Sequence, residues 1–231
     1  MHHRIYVDAI TSPHVTVEGD EFHHAIRVVR ARVGEPVELF DRTGQLAAAT
    51  VEAIERDRAV IRIDAPLPSR ETAHPLHLAM AIIQLEKFEL VLQKATELGV
   101  HSFIPLVTEH VELRPERYSG KAERWQKIVF EAVKQSGRSV VPRIEAPAAF
   151  EDVVRRAGTK IFFDADAPPG PPADLAEATL FIGPEGGWSE EELALARAAQ
   201  CLFQRLGPRR LRAETAAIAA VAIITAHTGD L

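Results

Sequence analysis

The chain has 231 residues, 46% of them apolar and 26% charged, with a formal net charge of −6. A chain of this length buries a proper core as one large domain or two smaller ones, and its charge argues against indiscriminate coating of nucleic acid without excluding a local basic face. It has no apolar run of about 18 residues, as a transmembrane helix would need, and its single cysteine, Cys201, excludes an internal disulfide and a Cys-rich zinc site.

The amino terminus, Met1-His2-His3-Arg4-Ile5, lacks the apolar core of a signal peptide, which points to the cytoplasm. Residues 4–7 read as a short strand, 21–31 as a helix capped by Asp20, and 37–40 as the first of several extended runs. The turn Asp41-Arg42-Thr43-Gly44 leads into strands at 45–54 and 59–63 around a second polar turn at 55–58. Short strands at this spacing predict a small barrel. Residues 65–72, with Pro66 and Pro68, read as a linker.

From His74 onward strands and helices alternate, which predicts a mostly parallel sheet between helices, an α/β fold. Residues 76–83 form a nearly continuous apolar run, suited to a strand covered on both faces. Leu85, Phe88, Val91, Leu92, Ala95 and Leu98 recur at helical spacing ahead of Gly99. A strand at 103–107 follows, then a helix marked by Trp125, Ile128, Val129, Ala132 and Val133 and ended by Gly137. Three more strands fall at 160–164, 178–182 and 201–206. Ser189 with Glu192 makes a capping box for a helix through Gln200, and the Ala-rich stretch 214–226 is the last helix. Cys201 lies among Ala199, Leu202 and Phe203, the setting of a small buried hydrophobe rather than a nucleophile.

Two loops carry most of the functional signal. Gly183-Pro184-Glu185-Gly186-Gly187 leaves one predicted strand, and Leu206-Gly207-Pro208-Arg209-Arg210-Leu211-Arg212-Ala213-Glu214-Thr215 leaves another, each ahead of a helix. Open α/β sheets place ligands at such carboxyl ends. Glycines let backbone amides approach closely, and a following helix adds oriented N–H donors. Two such loops near each other predict one shared pocket, and the proline-rich segment 167–172, after Asp164, is expected at its rim. The spacing matches neither the dinucleotide glycine fingerprint, nor the triphosphate loop, nor the Gly-x-Ser-x-Gly nucleophile turn. Glu185, Glu190, Glu191 and Glu192 favour a neutral or cationic ligand over a triphosphate. Residues 114–143 run the other way, with eight Lys or Arg against three Glu.

With these motifs in order, the chain resembles the RsmE family, which methylates N3 of a uridine in the 16S ribosomal RNA of the small subunit using S-adenosylmethionine. The resemblance rests on His23-His24-Ala25-Ile26-Arg27-Val28-Val29-Arg30 with Gly34-Glu35-Pro36-Val37, on Lys94-Ala95-Thr96-Glu97-Leu98-Gly99-Val100, on Arg124-Trp125, Glu131-Ala132 and Gln135-Ser136-Gly137-Arg138, and on the two late loops. It implies a PUA-like RNA-binding β-barrel domain over residues 1–70. A SPOUT methyltransferase domain with a parallel sheet and a carboxyl-terminal trefoil knot would follow over 74–231, acting as a homodimer in the cytoplasm, with the assembled small subunit as partner. The cofactor would sit against Phe181, Ile182, Gly183, Glu185, Gly186, Gly187, Leu206, Gly207, Leu211 and Thr215. Arg212 would stabilise charge on the base and contact RNA, and Glu214 would orient or act as base. Arg27, Arg30, Arg32 and Arg138 are candidate phosphate contacts, and no metal or membrane is implied.

Structural readings stand beside these. Glu214 also suits a helix amino terminus, with Arg212 as its ion-pair partner. Glu185 either shapes its loop or faces the cofactor, Thr215 either caps the last helix or bonds the cofactor, and Lys94 with Glu97 makes a structural pair or serves the substrate. The chain departs from the family pattern at His110, where an arginine is usual, and at Arg210, where an apolar residue is usual. A SPOUT enzyme acting on another RNA, or a non-catalytic assembly factor of the same fold, are the rival readings.

Overall fold

The computed structural model describes residues 3–11, 13–111, 118–168 and 175–231. The chain divides into two compact units, Met1–Glu71 with Val133–Val141, and Thr72–Ala132 with Pro142–Leu231.

In the first unit β1 (His3–Val7), β2 (His14–Glu18), β3 (Pro36–Asp41), β4 (Leu46–Ile54) and β5 (Arg58–Leu67) form one curled sheet in the order β1-β3-β4-β5-β2. Register shifts in the β4–β5 ladder, at Ala48/Ala49 and Val51/Ala53, supply the bend that curls it. Strand β2 has no counterpart in the sequence reading, because it lies at the sheet edge and only Val17 in it is fully buried. Strand β5 runs into the expected linker, pairing Ala65, Pro66 and Leu67 with Ala48, Ala47 and Leu46. Strand β2 covers β5 only from Arg58 to Arg62, so Pro66 lies on an edge, where a missing N–H costs no ladder bond.

The expected helix at 21–31 is a short α1 (Gly19–Phe22) that widens into a π-helical turn, His23–Val28. Arg30 then adopts φ 64°, which reverses the chain and turns Ala31 into the core at 4% exposure. Arg27, Arg30 and Arg32 are left exposed around it. Ile5, Val17, Phe22, Ala25, Leu39, Val51 and Ile61 fill the interior of the sheet.

A second, polar core joins this sheet to Val133–Val141. Arg4 donates from Nε to Glu38 Oε1 at 2.6 Å, and its other nitrogens reach the carbonyls of Val133, Lys134 and Arg138. Arg70 grips the same Glu38 through two bonds of 2.8 and 2.7 Å. Glu71 takes Arg138 together with the amides of Ser139 and Val140. Burial alone would raise both carboxyls, but the arginine bonds outweigh it and hold Glu38 and Glu71 below the ordinary glutamate range. The expected phosphate contact at Arg138 is therefore corrected: its side chain is 5% exposed and committed to Glu71.

In the second unit β6 (Leu76–Ala81), α2 (Leu85–Glu97), β7 (Ser102–Val107), α3 (Ala122–Ser136), β8 (Arg143–Ile144), β9 (Ala148–Ala149) and α4 (Phe150–Val154) come first. Then follow β10 (Lys160–Phe163), β11 (Ala178–Ile182), α5 (Glu190–Ala198), β12 (Leu202–Gln204) and α6 (Ala213–Thr228). Every strand pairing is parallel, in the order β12-β10-β11-β6-β7-β8 with β9 beside β7. Strand β6 is buried at five of six positions, as its apolar run requires. Phe162, Phe181 and Phe203 present one face of the sheet to Phe150 and Trp188, with Phe162 and Trp188 ring centroids 4.5 Å apart. Helix α6 packs on α2, β6 and β11. Lys94 and Glu97 form the structural pair, at 2.9 Å. Three short elements, β8, β9 and α4, escape the sequence reading because none is long enough to show a period.

Candidate active site

The three chain segments leaving β10, β11 and β12 at their carboxyl ends surround one cavity of about 960 Å³. Residues 163–166 form one wall, 182–188 with Glu190 and Leu193 a second, and 205–213 with Ala216 and Arg197 a third. The proline segment expected at the rim begins at the described Ala167 and Pro168, and residues 169–172 of it lie outside the described residues.

The second wall is tightly built. The Ser189 hydroxyl accepts the Glu192 amide at 3.2 Å, and Glu192 Oε2 accepts the Ser189 amide at 2.9 Å, which completes the capping box. Glu192 Oε1 takes a further amide, that of Glu109, at 3.0 Å. Trp188 Nε1 donates to the Phe163 carbonyl at 3.2 Å, fixing its ring between the first two walls. A Cβ on Gly183 would stand 2.8 Å from that ring, so only glycine fits there. Gly186 meets a different neighbour: its Cβ would stand 2.9 Å from the Cβ of His110, whose Nδ1 contacts the Gly187 carbonyl at 3.2 Å. Gly187 itself has φ 77°, a conformation that favours glycine.

Of the residues expected at a cofactor, Ile182, Gly183, Glu185, Gly186, Gly187, Leu206, Gly207 and Leu211 line the cavity, and so does Arg212. Phe181 lies below the wall, its ring fully buried against Phe162. Arg212, with extended backbone, is itself the N-cap of α6, so Thr215 sits in the first turn as an exposed residue and does not cap the helix. Glu214 follows Arg212 by two positions, and its Oε2 is buried without a hydrogen-bond partner among the described residues. Glu185 reaches across to Lys87 Nζ at 3.1 Å, which supports its loop-shaping reading.

Sequence reasoning gave no site role to Asp164, Asp166, Trp188, Arg197, Arg205 and Arg209 on the walls or to Lys87 behind them, and it marked Arg210 and His110 only as departures from the family pattern. Those on the third wall belong to a motif already singled out. Lys87 and His110 are about 98 and 77 residues from their contacts, and no local pattern announces them. The Cys201 thiol, pushed up to about 11 by burial, is no nucleophile.

A family model described as an RNA methyltransferase domain matches residues 70–225, and one described as an RNA methyltransferase PUA domain matches residues 17–64. Ribosomal RNA small subunit methyltransferase E of Rickettsia conorii is 30% identical over 96% of this chain and 94% of its own. A crystal structure of ribosomal RNA small subunit methyltransferase E from Neisseria gonorrhoeae, bound to S-adenosyl methionine, superposes with a TM-score of 0.88 at 29% identity, over 98% of each chain. A Legionella pneumophila protein in complex with the same cofactor gives 0.82 at 33% identity, again over 98% of each.

Proposed function

Because the chain belongs to the ribosomal RNA small subunit methyltransferase E family of RNA methyltransferases, we propose that it transfers a methyl group from S-adenosylmethionine to N3 of one uridine in 16S ribosomal RNA. One observation carries this reading: the glycine loop and the Arg212 loop, far apart in kind, wall a single cavity at the carboxyl ends of parallel strands.

The cavity fits the cofactor by size. Its volume is at the upper end of small-molecule pockets. Its lining is mixed in charge, with Asp164, Asp166, Glu185 and Glu190 on the first two walls, where a sulfonium would be favoured, and Arg197, Arg205, Arg209, Arg210 and Arg212 on the third, and a Cβ at Gly187 would meet no protein atom within 4 Å. Ile182, Gly183, Gly187, Leu206 and Leu211 would hold it. Bound there, S-adenosylmethionine supplies an electrophilic methyl on a sulfonium.

The residues of the chain then have two tasks, since uridine N3 carries a proton at neutral pH and attacks only as that proton leaves. Arg212, exposed on the cavity wall, would stabilise the negative charge spreading onto the carbonyl oxygens beside N3. Glu214, with its unpartnered oxygen, would orient Arg212 or accept the proton. Base pairing hides N3, so the nucleotide must be unpaired or flipped. Arg205, Arg209 and Arg210 would hold its flanking backbone at the cavity, and exposed Arg27, Arg30 and Arg32 in the first unit are candidate phosphate contacts of that unit. Helix α6 is apolar around its surface, with Ile223 45% exposed, which supports a homodimer. The knot, the assembled subunit as partner and the cytoplasm as location belong to the same reading.

Arg210 supplies a quantitative check. In Arg210→Gln, the slope of log affinity for RNA against log salt should fall by about 0.7 to 0.9, one phosphate's share. Affinity for S-adenosylmethionine should stay unchanged. An unaltered slope would take Arg210 off the RNA surface.

The reading as a whole is tested with small ribosomal subunits from cells lacking this protein, incubated with the chain and labelled S-adenosylmethionine, followed by nucleoside mass spectrometry. We expect 3-methyluridine at one position. Label in another nucleoside would overturn the N3 assignment, and no transfer to subunits or free 16S RNA would overturn the substrate.

A further inference from the structure

We infer that His110 is the positioning residue that sets the Gly186–Gly187 loop for cofactor binding, an inference that rests on the cavity being the S-adenosylmethionine site. Three groups from outside the loop pin it, and they act at different points. Lys87 on α2 holds Glu185 at 3.1 Å. The Glu109 amide holds Glu192, the residue that closes the capping box just beyond the loop. His110, next to Glu109 in the turn after β7, takes the middle, with Nδ1 on the Gly187 carbonyl at 3.2 Å.

The first two pins fix side chains, whereas His110 fixes the backbone itself. A carbonyl oxygen can only accept, so Nδ1 carries the proton in this contact. The approach needs both glycines. A Cβ on Gly186 would fall 2.9 Å from the Cβ of His110, an atom anchored to the main chain that cannot swing away. Gly187, at φ 77°, gives the carbonyl its direction toward the ring. The position of a Gly187 Cβ is free of protein atoms within 4 Å, on a residue that lines the cavity. The imidazole thus holds the loop at its carbonyl while the Cβ position of Gly187 stays available to ligand.

His110→Leu keeps bulk and removes the donor, while His110→Asn places an amide N–H close to where Nδ1 stands. In the absence of ligand, hydrogen exchange over residues 184–189 should quicken about tenfold in the leucine variant and return to within about threefold of the parent in the asparagine variant. Calorimetric affinity for S-adenosylmethionine and its KM should follow the same order, about tenfold weaker for leucine, with kcat and the KM for RNA within about twofold. Parent-like exchange and affinity in His110→Leu would overturn the inference. So would equal losses in both variants alongside a lowered Tm, which would make His110 a packing residue. If the parent protein binds no S-adenosylmethionine yet exchange still separates the two variants, the functional reading falls and the role of His110 in placing the loop stands.

Discussion

Arg212→Ala is expected to lower methyl transfer by about 10²- to 10³-fold, the usual cost of removing one preorganised charge stabiliser. Binding of S-adenosylmethionine, measured by calorimetry, should stay within about twofold. The separation follows from where the residue stands. Arg212 is an N-cap without a side-chain cap bond, and it is exposed on the cavity wall. Its truncation therefore leaves α6 its backbone start and opens no hole in the core. No hydrogen bond joins Arg212 to the buried Glu214 oxygen, which has no hydrogen-bond partner among the described residues. The purely structural ion pair is thus not made through that oxygen. Arg212→Lys keeps a charge but loses the planar fork, so an intermediate rate is expected. Loss of cofactor affinity in step with the rate would reassign Arg212 to the cofactor pocket.

The late loops were legible because their signal is local. Glycines, a capping box and apolar runs of strand length all fall within about thirty residues, and the structure starts β11 at Ala178 and ends it at Ile182, as the apolar run indicates. Strand β12 is three residues where six were expected, since Cys201, Arg205 and Leu206 make no ladder partner. What escaped reading is non-local. The contact of His110 with Gly187 depends on β7 and β11 ending at the same side of the sheet, which no single segment encodes. Arg138 misled for the same reason: a basic stretch reads as an exposed face until a carboxylate from Glu71, 67 residues away, is found beside it. The short edge strand β2, with one buried side chain, carried too little alternation to be seen.

Arg4→Met should have the largest effect on stability, about 3 kcal/mol from the first unit, as expected when one partner of a buried charged cluster is removed. Arg4 has a side chain only 11% exposed and meets four acceptors, Glu38 and the carbonyls of Val133, Lys134 and Arg138, while its guanidinium lies 4.6 Å from the Phe40 ring centroid. Two of those carbonyls belong to the last turn of α3, where a cation also meets the negative end of the helix dipole. A methionine fills similar volume and satisfies none of them. Arg4→Lys keeps the charge but cannot fork between Glu38 and three carbonyls, so its loss should be intermediate. Acid stability follows with a definite sign. Glu38 and Glu71 are held below their ordinary range, so their contribution is present above about pH 4 and is lost as the pH falls through the lowered folded values. Without Arg4, Glu38 keeps only Arg70, its depression shrinks, and its smaller contribution is lost at a higher pH. Urea unfolding followed through the first unit at neutral pH and near pH 4 measures both effects. A midpoint unchanged at neutral pH would mean that water replaces Arg4 at those carbonyls and that Arg70 alone holds Glu38.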